Sequence, residues 1–182
     1  MGKLQICICG ARNLENEKDL CLPDPYCCVR LGGKTFKTKV VNNSCDPVWN
    51  QTFRFHVSSG ADAQVCVELW NRGIVTDNIL GSVCLPLKNL TMGVVTDSWY
   101  MLSHSETSAE VRIRLLACDF GAKPQASERW KVTRDINACP VFAAGGMPPP
   151  LPDPVTVSTN SNNMPMLKNM GPPVVPAIFA SS

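Results

Sequence analysis

Histidine is scarce in this chain of 182 residues: His56 and His104 are the only two. Two imidazoles leave little material for a Ser/His/Asp relay or an activated cysteine, both of which need a base beside the nucleophile. No C-x-x-C pair occurs among the ten cysteines, so zinc-finger spacing is missing as well. No apolar run is long enough for a membrane-spanning helix. Met1-Gly2-Lys3 leads into alternating residues instead of the apolar stretch of a secretory leader. Neither sign of charge dominates, with 17 Lys and Arg against 15 Asp and Glu, far from the basic excess of a nucleic-acid binder. Paired carboxylates in a hydrolytic setting and a phosphate loop are lacking too. These absences predict a non-enzymatic, cytoplasmic protein that needs no cofactor and no metal and takes no nucleic acid.

What is present is a globular composition, 45% hydrophobic and 18% charged, sufficient to bury a core. Cysteines alternate with apolar residues, as in Ile6-Cys7-Ile8-Cys9 and Val65-Cys66-Val67. They read as reduced thiols serving as small hydrophobes on strands. Composition shifts after Gly121, which eleven of the 15 prolines follow. Residues 1–121 carry 12 basic and 12 acidic side chains, and the remainder carries 5 and 3. In the first part Leu4, Ile6 and Ile8 alternate with other residues. Phe53, Phe55 and Val57, then Val65, Val67 and Leu69, then Val111, Ile113 and Leu115 do the same. Turn-forming clusters separate these runs, which predicts an antiparallel sandwich of about eight strands. Residues 122–146 read as a linker with a short helix over 126–138, started by Ser127 and held by Trp130 and Ile136. Residues 147–182 read as an extended, largely irregular proline-rich tail.

Several motifs stand in a telling order: Leu4-x-Ile6-x-Ile8, Ala11-Arg12-Asn13-Leu14, Asp24-Pro25-Tyr26, Lys37-Thr38-Lys39, Asp46-Pro47-Val48-Trp49-Asn50-Gln51-x-Phe53-x-Phe55, Val67-Glu68-Leu69-Trp70 and Asp77-Asn78-Ile79-Leu80-Gly81. Over about residues 2–120 this set resembles the C2 domain family. The resemblance implies an all-β fold, an eight-stranded antiparallel C2 β-sandwich. Because the chain enters its first strand at once and closes with Glu110 to Ala117, it looks like the family's circularly permuted topology.

The resemblance also implies two sites. C2 domains commonly hold calcium with loop aspartates at one end of the sandwich. Such an ion wants six to eight oxygens, several of them carboxylates. Here Asp24 matches one ligand position, while Lys18 falls where the first loop aspartate belongs, with Asp19 beside it. In the third loop the positions fall on Asn71, Gly73 and Asn78, with Asp77 a near miss. The expectation is no calcium binding at micromolar levels, with the Lys18 ammonium pairing Asp24 as an internal charge.

The second site is a basic groove on a sheet face that receives phosphoinositide headgroups in some members. Arg30, Lys37 and Lys39 match its basic positions, Tyr26 and Trp70 its aromatic ones, and Cys28 replaces a lysine. Lys34 in the adjoining turn is expected to reach the same face, and Lys37 and Lys39 to project together by parity. Each cation near an anionic surface contributes about 1 kcal/mol, so apolar loop tips must add to it. Leu20 and Leu22 in the first loop, and Ile74 and Val75 in the third, are the candidates. The alternative reading of these cations is a solvated strand face that deters edge pairing.

In the tail, Pro149-Pro150-Leu151-Pro152 is a string of the kind that polyproline-binding modules accept. The whole predicts a calcium-independent adaptor that binds an anionic membrane or a protein scaffold through the sandwich and a partner through the tail. The alternative is a structural protein-docking module of a cytoskeletal or ciliary assembly.

Overall fold

The computed structural model describes residues 1–15, 19–58 and 63–139. Eight strands run in order: β1 (Gly2–Arg12), β2 (Pro25–Leu31), β3 (Lys34–Lys37), β4 (Val48–Val57), β5 (Gln64–Asn71), β6 (Asn78–Pro86), β7 (Thr96–Met101) and β8 (Glu110–Ala117). They form two antiparallel four-stranded sheets, β4-β1-β8-β7 and β3-β2-β5-β6. First and last strands lie side by side in the middle of one sheet, with Ile6 opposite Leu115.

The alternation seen in the sequence places one face of each sheet inward. Leu4, Ile6, Ile8, Phe55, Ile113 and Leu115 from one sheet meet Val29, Val65, Val67 and Leu69 from the other, and all are buried. β1 bulges between Ile8 and Gly10. A Cβ on Gly10 would sit 2.7 Å from the Pro47 carbonyl oxygen, so only glycine admits this approach of β4. Among the described residues helix is confined to three short 3-10 turns, Leu87–Asn89, Ala126–Lys131 and Ile136–Ala138.

Of the segment expected as a linker, the described part, 122–139, lies against the outer face of the first sheet. At Gly121 the backbone adopts a φ of +95°, and Ala122 then bonds Leu90 and Met92. Further on, Thr133 donates to the Gly93 carbonyl at 2.8 Å. Gln5 clamps the strap twice: its amide nitrogen donates to the Arg134 carbonyl (2.8 Å), and its amide oxygen accepts from Ile136 (3.0 Å). Ile136 is fully buried over Cys7, Cys9 and Leu116, a small second core outside the sandwich. These bonds need extended backbone at 132–135, so the expected helix over 126–138 is divided in two. Its start is set by Gln125 and Glu128 in a reciprocal cap, with Ser127 inside the first turn. Of its two expected apolar anchors Ile136 is buried and Trp130 only half-buried.

One cysteine expectation is corrected. Cys66 and Cys84 are joined by a disulfide, because β5 and β6 set them directly opposite each other. The register, which no local pattern reveals, decides this pairing.

Candidate functional site

The loops at one end of the sandwich are knitted together by polar contacts. Asn71 accepts from the Asp24 amide (2.8 Å), and Asp24 accepts from the Asn43 amide (2.8 Å). Arg72 folds back over this cluster, reaching Asp24 at 3.4 Å and the Asn42 side chain at 3.0 Å. Asp77 accepts from the Tyr26 hydroxyl and from the Gly73 amide. Those two bonds, the phenol's first, hold the Asp77 carboxyl below its ordinary pKa. Burial and the same carboxylate push the Tyr26 phenol up to about 12.

Among the described residues, the cation on Asp24 is therefore Arg72. Sequence reasoning assigns that part to Lys18, which lies outside the described residues. A guanidinium between Asn71 and Gly73, amid the third-loop ligand positions, is the available signal. Asp19, Asn71 and Asn78 line a cleft of about 290 Å³ shared with Ile79 and the 104–107 turn. Among the described residues no three carboxylates, imidazoles or thiols gather as a metal would need.

Around this cluster stands a crown of bare hydrophobes. Leu20 and Ile74 are wholly exposed, Val75 is 92% exposed, and Leu22 is half exposed. Ile79, which the sequence shows only as part of a strand motif, is half exposed at the same end. Soluble surfaces carry isolated hydrophobes routinely, but two adjacent loops sharing one polar cluster gather these.

The outward face of the β3-β2-β5-β6 sheet is the second surface. Register sets Tyr26 opposite Trp70, and Cys28 opposite both Glu68 and Lys37. Arg30 reaches Glu68 at 3.2 Å, the Trp70 indole N–H donates to Glu68 at 3.0 Å, and the Lys37 ammonium lies 5.4 Å over the Tyr26 ring. Tyr26, Arg30, Lys37 and Trp70 are therefore brought together, around a carboxylate that sequence reasoning leaves out. Two placements are corrected. Lys34 pairs with Leu31 and alternates with Lys37, so it leaves the sheet on the side of Phe36. Lys39 lies beyond β3, which ends at Lys37 because the Thr38 hydroxyl captures the Cys27 amide. Its backbone is tied instead to Gln51 and Trp49 of β4. Pro149, Pro150, Leu151 and Pro152 lie outside the described residues.

A two-sheet antiparallel sandwich with loops converging at one end is the architecture that the sequence resemblance implies. The C2 domain family model matches residues 2–102, more than half of the chain, and the chain belongs to that family. It is 30% identical over 132 residues to Synaptotagmin-4 of Arabidopsis thaliana, covering 66% of this chain and 23% of that protein. To a protein named calcium-dependent lipid-binding protein, from the same plant, it is 33% identical over 97 residues, covering 53% of this chain and 19% of the other. The chain thus spans about a quarter or less of these relatives. A solved C2 domain of plant Extended Synaptotagmin 1 superposes with a TM-score of 0.59 at 19% identity, covering 65% of this chain and 95% of that one. That likeness concerns the fold alone.

Proposed function

We propose that this chain is a non-catalytic C2 adaptor that docks loop end first on an anionic phospholipid surface without calcium. The observation that carries the reading is the bare crown of Leu20, Leu22, Ile74, Val75 and Ile79 over a polar cluster already knitted by Arg72. In C2 loops a divalent ion would bridge Asp24 to the third loop. Here a tethered guanidinium makes that bridge, and Asp77 commits its oxygens to Tyr26 and Gly73. One relative's name says calcium-dependent, and this chain departs from that behaviour through Asn71, Gly73 and Asn78 at the ligand positions. Apolar tips supply what a weak field of cations lacks, since one buried side chain adds about 1.5–3 kcal/mol. The proline-rich tail is assigned the second task, recruiting a polyproline-binding module.

Sedimentation with anionic vesicles tests this. Capture is expected in EGTA, unchanged by calcium, weakened by salt, and abolished by Ile74→Asp with Val75→Asp. Capture only with calcium overturns the calcium-independent part. Absence of capture at low salt favours a second reading, docking on a protein scaffold. The pairing of Arg30 with Glu68 supports that alternative, because it removes one cation from the sheet face.

A further inference from the structure

Eight arginines occur among the described residues, and five of them pair with carboxylates: Arg12, Arg30, Arg72, Arg112 and Arg114. Two of the other three, Arg54 and Arg134, meet in one cavity of about 550 Å³ on the outer face of the β4-β1-β8-β7 sheet. Lys3, Gln5, His56 and Asp119 line it with them. Register explains the meeting. Lys3 stands opposite His56 and Gln5 opposite Arg54, and all four alternate with the buried Leu4 and Phe55. Arg134 is brought over them by the strap, where the Gln5 amide holds its carbonyl. Three cations therefore face one carboxylate, and Asp119 gives one of its oxygens to the Lys3 backbone amide at 2.6 Å.

We propose that this cavity binds the phosphate monoester group of a soluble ligand. Guanidinium forks match phosphate oxygens two at a time, a dianion neutralises two unpaired cations at once, and the ammonium of Lys3 adds a point charge. A soluble source fits better than a membrane. β1 carries Lys3 at this end and runs its 11 residues toward the loop end, about 30 Å away. A bilayer engaged by Ile74 and Val75 leaves this cavity in solvent. The inference stands apart from the loop reading, since it uses other residues, and Arg134 lies beyond the residues that the family model matches.

The test is calorimetric titration of the full chain with inositol hexakisphosphate, a soluble carrier of six phosphate monoesters. Saturable binding is expected, weakened about tenfold by Arg54→Ala and by Arg134→Ala. Arg54→Gln and Arg134→Gln, which keep most of the stem and lose only the charge, must show the same loss with unchanged circular dichroism. Ile74→Asp must leave the titration unaltered. No binding at millimolar ligand, equal binding by the Arg54 and Arg134 variants, or a loss that follows Lys37→Ala instead overturns the assignment. So does a result in which these arginines matter only for capture by vesicles of phosphatidylcholine and phosphoinositide, because the phosphate source is then a membrane.

Discussion

The two outward sheet faces follow the same alternation rule and reach opposite outcomes. On the β4-β1-β8-β7 sheet, β1 and β8 turn Cys7, Cys9 and Leu116 outward, and the strap then buries all three beneath Ile136. On the β3-β2-β5-β6 sheet, Arg30, Glu68 and Trp70 face outward, satisfy one another and stay partly exposed, beside a buried Tyr26 whose hydroxyl is taken by Asp77. An outward apolar cluster needs a lid, whereas an outward polar and aromatic cluster can wait for a ligand. The difference separates an outward patch that adds to the core, under Ile136, from one left partly open to solvent.

Removing the lid's anchor has the largest expected effect. Ile136→Ala deletes a fully buried side chain and leaves a cavity, which costs about 2–4 kcal/mol. Urea unfolding at neutral pH reads it directly. Ile79→Ala, at a half-exposed position at the loop end, is expected to cost under ~1 kcal/mol. If Ile136→Ala costs as little as Ile79→Ala, the strap adds no real core and the contrast between the faces collapses.

How much of this is legible in the sequence depends on the range of the signal. Alternation in Leu4, Ile6 and Ile8, or Val65, Val67 and Leu69, is local, and the sandwich follows from it. The exposed tips Leu20, Ile74 and Val75 are legible for the same reason, as apolar residues among turn formers. Arg72 is not, because its partner Asp24 lies 48 positions away and only folding joins them. The strap escapes notice because its one strong apolar anchor, Ile136, packs on Cys7 and Cys9, more than a hundred positions earlier, as well as on Leu116. Cys7, Cys9 and Leu116 on outward positions are the hint that something must cover them. Lys39 is misplaced because parity holds only within a strand, and Thr38 ends β3 with a side-chain bond.

A smaller effect is expected at Asp97, which serves the covered sheet. It accepts from Arg112 at 2.8 and 2.7 Å and from Arg114 at 3.0 Å. Burial raises its pKa, and the two guanidiniums outweigh that, so the carboxyl lies below the ordinary aspartate value. The folded state therefore binds fewer protons here than the unfolded chain. The contribution is present in full above the unfolded pKa and is lost as pH falls through the folded one. Asp97→Asn is expected to cost about 1–2 kcal/mol at pH 7, and the gap from the parent should narrow below about pH 4. A gap that stays constant down to about pH 2 would show that the bonds, not the charge, matter.

On the uncovered face the sharpest probe is Glu68→Gln. Glu68 sits among Arg30, Lys37 and Trp70, so it subtracts from whatever anion attraction those cations supply. Glutamine keeps an acceptor for the indole while freeing the Arg30 charge. Near an anionic surface one freed cation contributes at most about 1 kcal/mol, roughly a fivefold gain in vesicle capture at low salt. Screening must erase that gain as ionic strength rises. Stability should change by under ~0.5 kcal/mol, because the ion pair is exposed on its Arg30 side. Unchanged capture at low salt would place this face outside membrane contact, and its aromatic and charged residues would then belong to a protein interface.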